Sequence, residues 1–145
     1  MDRQSPSTSA NDCIVQLARP LEISSVPPSA ARFVYALRLI ALHERVGRDP
    51  VPELASRLGS VDVAAKALAF TQCLTSSWPE NIHVSRFCCQ MLSHDEATIS
   101  AVIESALDCN YEGMERTLQG LVRTDRFQRL WEAALELVGA EALAG

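Results

Sequence analysis

The fold depends first on residues 29–46, which read SAARFVYALRLIALHERV. Two prolines precede this stretch and a glycine follows it, so we expect a helix over 30–46 with Ser29 as its N-cap. Apolar residues recur at helical spacing on more than one side, at positions 33, 34, 37, 40 and 41 and again at 39, 42 and 46. A helix that is apolar on most sides lies at the centre of its fold. His43, which stands in a polar run, is expected on the solvated edge.

Helical periodicity continues on both sides of Gly59, over 50–58 and 60–77. Ser60 is the expected N-cap of the second of these helices, and Gly59 ends the first. Ser93 and Glu96 have the spacing of a capping box, which predicts a further helix from 93 to about 109.

Asn110 is the expected cap of the next helix, and a last helix is expected from Thr124 or Asp125 to Gly139. Helices joined by connections of a few residues pack mostly as antiparallel neighbours. We therefore predict an all-α fold: a single orthogonal or bundle-like domain of five to six helices, with one short extended segment near 81–89.

The chain divides into three parts by composition. Residues 1–12 are polar and rich in Ser and Thr, which predicts a disordered N-terminal tail. Residues 13–28 contain three prolines and a few apolar residues, which favours an extended arm lying across the domain. Residues 29–145 form the single helical domain.

Composition and charge exclude several classes of protein. Hydrophobic residues make up 48% of the 145 residues and charged residues 21%, so the chain is globular rather than disordered. The net charge is −5, and residues 76–145 hold eleven of the eighteen acidic side chains but only five of the thirteen basic ones. This acidity argues against broad binding to nucleic acid or anionic membranes. No membrane span or secretory signal is visible, so we expect a cytoplasmic protein whose five cysteines are thiols.

One segment concentrates side chains that bind soft metals. Between residues 83 and 94 the chain offers His83, Cys88, Cys89, Met91 and His94. Sulfur and imidazole ligands suit zinc or copper(I), and thiols just before a helix N-terminus become more reactive. These residues are our candidate metal or redox site. The alternative is that the cysteines pack inward as small apolar side chains, because the segment lacks a C-x-x-C spacing.

Residues 50–77 resemble a helix-turn-helix, with the turn at Gly59. A recognition helix presents several polar or basic side chains to base edges, whereas this one offers Asp62, Lys66 and few others. The favoured interpretation is two core helices joined by a glycine turn, with DNA binding through Asp62 and Lys66 as the alternative.

A family resemblance is carried by two runs, ARFVYALRLIA at 31–41 and CCQMLSHDEA at 88–97. They resemble a family of small, uncharacterised alphaproteobacterial proteins known only as a domain of unknown function. The resemblance covers roughly residues 29–138 and implies that these residues form the fold. Members of the family carry a proline before the methionine, where this chain has Gln90. The family has no activity to transfer, so the resemblance implies no substrate, cofactor or catalytic residue.

Function is left to three hypotheses of different classes. The chain has no P-loop, dinucleotide fingerprint, nucleophile elbow or H-E-x-x-H motif. The leading expectation is therefore a non-enzymatic helical protein-interaction or regulatory domain that self-associates as a homodimer and also binds an unidentified protein partner. The thiol-based metal or redox site is the second hypothesis, and DNA binding is the third.

Overall fold

The structure is a computed structural model that describes residues 21–144. Within these residues the chain forms six α-helices and no β-strand, which confirms the all-α prediction. The helices are α1 Pro28–Arg45, α2 Val51–Leu58, α3 Val61–Ser77, α4 His94–Leu107, α5 Tyr111–Leu118 and α6 Phe127–Ala144. No helix in this part of the chain is both long enough and apolar enough to cross a membrane. The predicted tail at 1–12 and residues 13–20 of the predicted arm lie outside the described residues.

Three of the predicted helix starts are confirmed by their caps. The side-chain oxygens of Ser60, Ser93 and Asn110 each accept a hydrogen bond from the backbone N–H three residues later. At Ser93 the capping box is complete, because the carboxylate of Glu96 accepts the N–H of Ser93 in return. Gly59 ends α2 with φ +76°, a left-handed conformation that favours glycine.

Two predicted helix caps are wrong, and the last α-helix begins at Phe127 rather than at Thr124 or Asp125, because residues 124–126 form a 3-10 turn before it. Ser29 is not the N-cap of α1, because the helix already begins at Pro28 with Pro27 as its N-cap. Proline suits the first helical turn, where its fixed φ is correct and its missing N–H is not needed. Gly139 does not end α6, which continues to Ala144. The burial of Ala140 on the far side of this glycine favours continuation over a stop.

The core is formed where α1, α3, α4 and α6 meet. α3 packs along α6, and α1 packs on α4. The rings of Phe33 in α1 and Phe70 in α3 lie 4.9 Å apart, and Ile103 of α4 and Leu130 of α6 are fully buried in the same cluster. The predicted central position of α1 is therefore correct: nine of its eighteen residues are buried.

The N-terminal arm pairs with the chain at a place other than the predicted extended segment. An isolated antiparallel bridge joins Glu22 to Met91, and the N–H of Ile23 donates to the carbonyl of Gln90 at 2.8 Å. Residues 81–86 carry no regular secondary structure and pair with no strand among the described residues. The backbone N–H groups of His83 and Ser85 in this segment are instead met by side chains.

Candidate functional site

The candidate metal or redox residues lie in or beside the loop between α3 and α4, residues 78–93. His83, Cys88, Met91 and His94 are exposed, whereas Cys89 is half-buried. His94 is the first residue of α4. What holds this loop in place is a buried ion pair that the sequence analysis did not identify.

Arg38 and Glu96 form that ion pair. Nε and Nη2 of Arg38 donate to the two carboxylate oxygens of Glu96 at 2.8 and 2.9 Å, in a bidentate arrangement. Their side chains are 1% and 0% exposed. Arg38 lies in α1 and Glu96 in the first turn of α4, so the pair ties the two helices together in the interior. Arginine suits such a site because its planar fork matches a carboxylate.

Arg38 also holds the α3–α4 loop through backbone carbonyls. Its Nη1 donates to the carbonyls of Phe87 at 3.4 Å and Cys89 at 2.8 Å, and its Nη2 donates to the carbonyl of Met91 at 3.1 Å. The three acceptors belong to alternate residues of the loop. A single guanidinium therefore holds the backbone of the second half of the loop.

Carboxylates at the start of α4 accept the backbone N–H groups of the same loop. Glu96 accepts from Ser93 at 2.8 Å and from Ser85 at 3.1 Å, and Asp95 accepts from His83 at 2.7 Å. The capping box therefore does more than begin a helix. Through Glu96 it joins the helix start, the loop backbone and Arg38 in one network in which every polar group has a partner.

The network determines the charge state of Glu96. Burial is the largest single influence and would raise the pKa of this carboxyl, but hydrogen bonds from Arg38, Ser93 and Ser85 and the charge of Arg38 outweigh it. The pKa of Glu96 is therefore lowered from its ordinary value of 4.5. The hydrogen bond to Glu96 raises the pKa of Arg38 in turn. Both groups are charged at neutral pH.

A groove lies between α1, α2 and the α3–α4 loop. It consists of two adjoining depressions of about 480 and 210 Å³, which share Leu39, Arg57 and Phe87. We call it the α1 groove, and it is lined by Arg32, Tyr35, Ala36, Leu39, Leu42, His43, Val46, Arg48, Glu53, Leu54, Arg57, Leu58, Phe87, Cys88 and Gln90. Most of these side chains are apolar, so the groove presents a largely apolar surface to solvent.

The loop contributes one wall of the groove through Phe87. Its ring lies 5.7 Å from the ring of Tyr35, and the guanidinium carbon of Arg57 lies 5.3 Å above it. The carbonyl of Phe87 itself accepts from Arg38. The buried ion pair therefore positions this wall, and the aromatic and cation–π contacts add to it.

His43 is not on a solvated edge as predicted. It is 7% exposed, its Nδ1 lies 3.0 Å from the carbonyl of Leu39, and its Nε2 lies 3.2 Å from the carboxylate of Glu53. The prediction failed because Glu53 comes from α2, and a contact between two helices leaves no trace in the periodicity of either.

The structure does not bring the predicted ligands together. Within residues 21–144, no three His, Cys, Asp or Glu side chains are grouped so that they could hold a metal ion. The geometry thus adds no support to a zinc or copper(I) site at His83, Cys88, Cys89, Met91 and His94. Cys88 does line the α1 groove, and its thiol is exposed there. The metal and redox hypotheses stay predictions, which elemental analysis and the reactivity of Cys88 and Cys89 towards a thiol probe would test.

The structure adds no support to the helix-turn-helix interpretation either. The Nζ of Lys66 lies 3.0 Å from the carboxylate of Glu136 in α6, so the main basic side chain of the would-be recognition helix already pairs with an acid. Asp62 is exposed and negatively charged, which is unfavourable beside phosphates. α2 and α3 pack together as two core helices joined by a glycine turn.

No protein-family model, no characterised protein sequence and no solved structure matches this chain. The resemblance to a bacterial domain of unknown function therefore stays a prediction.

Proposed function

We propose that this protein is a non-enzymatic helical protein-interaction domain, and that the α1 groove is its binding face. The observation that carries the proposal is a partly exposed apolar seam along the central helix and the residue that follows it. Tyr35 and Leu42 of α1 and Val46, which directly follows the helix, are 36%, 46% and 66% exposed, whereas Leu39 between them is buried at 3% and lines both depressions. The four residues are spaced four, three and four apart. This spacing forms one stripe on a helix and matches the seam that packs against another helix.

The groove has the properties of a preformed site. Its wall at Phe87 is held by five hydrogen bonds from Arg38, two to Glu96 and three to loop carbonyls. A binding surface that is already ordered loses less conformational entropy when a partner binds. Apolar helix-binding grooves of this kind accept an amphipathic helix through side chains at i, i+3 or i+4, and i+7.

A selection experiment with the full chain tests the proposal. A library of helical peptides is selected for binding to the wild-type protein and counter-selected against Leu42→Asp, which places a charge in the seam. Leu107→Asp is the matched control, because Leu107 is similarly exposed at 42% but lies on α4 outside the groove. We expect peptides that bind the wild type and Leu107→Asp but not Leu42→Asp. If no peptide makes this distinction, the groove is not a helix-binding face.

The homodimer expected from the sequence is a separate prediction. Light scattering after size exclusion, at micromolar to millimolar concentration, measures the mass of the wild type and of Leu42→Asp. A dimer that Leu42→Asp dissociates and Leu107→Asp leaves intact would place self-association at the groove. If the wild type is a monomer at every concentration, the homodimer prediction is wrong, and the groove is free to bind a different chain.

A further inference from the structure

We infer that the partner of the α1 groove is an amphipathic helix whose apolar stripe is flanked by acidic side chains. The inference rests on the function proposed above and adds the charge of the partner. It follows from the distribution of charge around the apolar seam.

Two basic side chains and no acidic one line the larger depression. They are the rim arginines Arg32 and Arg57, and each of them is ion-paired with a glutamate outside that lining. The side chains of these arginines are 52% and 55% exposed, so both can meet a ligand. Arg48 adds a third basic side chain at the smaller depression, where Glu53 is the single acidic lining residue.

Each rim arginine uses only some of its N–H donors in hydrogen bonds within the protein. Arg57 donates through Nε to Glu53 at 2.9 Å, and neither of its terminal nitrogens has a partner among the described residues. Arg32 donates through Nε to Glu141 at 2.9 Å and through Nη2 to the hydroxyl of Ser29 at 3.3 Å. The guanidinium group carries five N–H donors, so both arginines keep donors for a further carboxylate.

Arg57 is also held in place for such a contact. Its guanidinium carbon lies above the ring of Phe87, next to the apolar floor formed by Leu54 and Leu58. A carboxylate on the edge of a helix that lies along the seam would meet this guanidinium while the apolar stripe covers Tyr35. Acidic flanks would therefore strengthen binding, and basic flanks would meet like charge at the rim.

Two synthetic helical peptides test the inference. Each has about 18 residues, long enough for several helical turns, and both carry the same apolar stripe at i, i+3 or i+4, and i+7. One has Glu at the flanking positions and the other has Lys. Fluorescence anisotropy measures binding to the full chain at low and at high salt. We expect the Glu peptide to bind about tenfold more tightly at low salt, with the difference shrinking as salt screens the charges.

Variants assign this effect to the rim. Arg57→Gln should weaken the Glu peptide about threefold to tenfold, because one cation at a partly exposed contact is removed. The same variant should not weaken the Lys peptide, and should bind it slightly more tightly, because one like charge at the rim is gone. Arg123→Gln is the matched control, since Arg123 is 78% exposed and lies outside the groove. Leu42→Asp should abolish binding of both peptides.

The outcomes separate the two proposals. Equal binding of both peptides, abolished by Leu42→Asp, would overturn the acidic partner and leave the helix-binding groove standing. Binding that Leu42→Asp does not change, or no binding of either peptide, would overturn both. If the Glu peptide binds only after dilution dissociates a dimer, or only after residues 1–20 are removed, the natural occupant is a second copy or the chain's own N-terminal segment, and the inference is wrong.

Discussion

Replacing Arg38 by methionine should be among the most damaging single substitutions in this chain. The change leaves the carboxylate of Glu96 at 0% exposure without its cation, and it removes the donor to three loop carbonyls. Breaking a buried ion pair by removing one partner costs about 3–5 kcal/mol, because the remaining charge stays uncompensated. Domains of this size unfold with about 5–15 kcal/mol, so Arg38→Met should remove about a fifth or more of the stability.

Urea unfolding followed by circular dichroism measures this loss, and the melting temperature should fall by roughly 10 °C or more. Arg57→Met is the matched control: it also removes an Arg–Glu ion pair, but an exposed one, and should leave the melting temperature close to that of the wild type. A loss below about 1 kcal/mol for Arg38→Met would refute the buried network as described.

The double variant Arg38→Met/Glu96→Gln refines the same prediction. It removes both charges, so no unpaired carboxylate stays behind, and part of the stability lost in Arg38→Met should return. If the two single losses simply add, Arg38 and Glu96 do not interact, and the bidentate pair at 2.8 and 2.9 Å is not a feature of the protein in solution.

Three further predictions follow from other parts of the fold. Because the pKa of Glu96 is lowered from 4.5 in the folded chain, its charge stabilises the protein above pH 4.5, and this stabilisation is lost as the pH falls through the lower pKa of the folded state. The melting temperature of the wild type should therefore drop towards that of Glu96→Gln as the pH is lowered below about 5. Ser93→Ala removes the acceptor of the capping box and should cost about 1 kcal/mol in urea unfolding, and Ser93→Thr should restore most of it. Gly59→Ala should lower the free energy of unfolding by about 1–2 kcal/mol because its φ of +76° is strained for alanine, although nothing lies within 4 Å of the added carbon. Gly139→Ala is the contrasting variant: Gly139 lies inside α6, where alanine is the better helix former, so this change should raise the free energy of unfolding.

Local sequence signals predicted most of the helices. Ser60, Ser93 and Asn110 were identified as caps because capping depends on residues within one turn of the helix start. The central position of α1 followed from its apolar residues on several sides. The predicted caps Ser29 of α1 and Gly139 of α6 were wrong, because each of these residues lies inside its helix.

The sequence did not predict the α1 groove. The predicted extended segment near 81–89 lies in the loop that forms one wall of the groove, but the sequence hypothesis for that segment was a metal or redox site. The organisation of the loop depends on Arg38, 58 residues before Glu96 in the chain, and no local pattern links residues so far apart. One signal was present: Arg38 stands within a helix that is apolar on most sides. A charged residue in such a position is buried only when it is paired, so it predicts a distant partner.

The Arg38–Glu96 pair is better explained by the conformation that it gives to the α3–α4 loop than by a contribution to the free energy of unfolding. Apolar residues of similar volume often replace a buried ion pair without loss of stability, so stability alone does not account for charges at this site. An apolar side chain, however, could not donate to the carbonyls of Phe87, Cys89 and Met91, and within residues 21–144 no strand pairs with 81–86. The double variant Arg38→Met/Glu96→Gln therefore separates stability from the conformation of the loop. Its stability should be partly restored relative to Arg38→Met. Its affinity for the acidic helix should not be restored, because the loop carbonyls at the Phe87 wall still lack the Arg38 donor. Anisotropy with the Glu peptide measures that affinity, and a double variant that binds as tightly as the wild type would show that the loop holds its shape without Arg38.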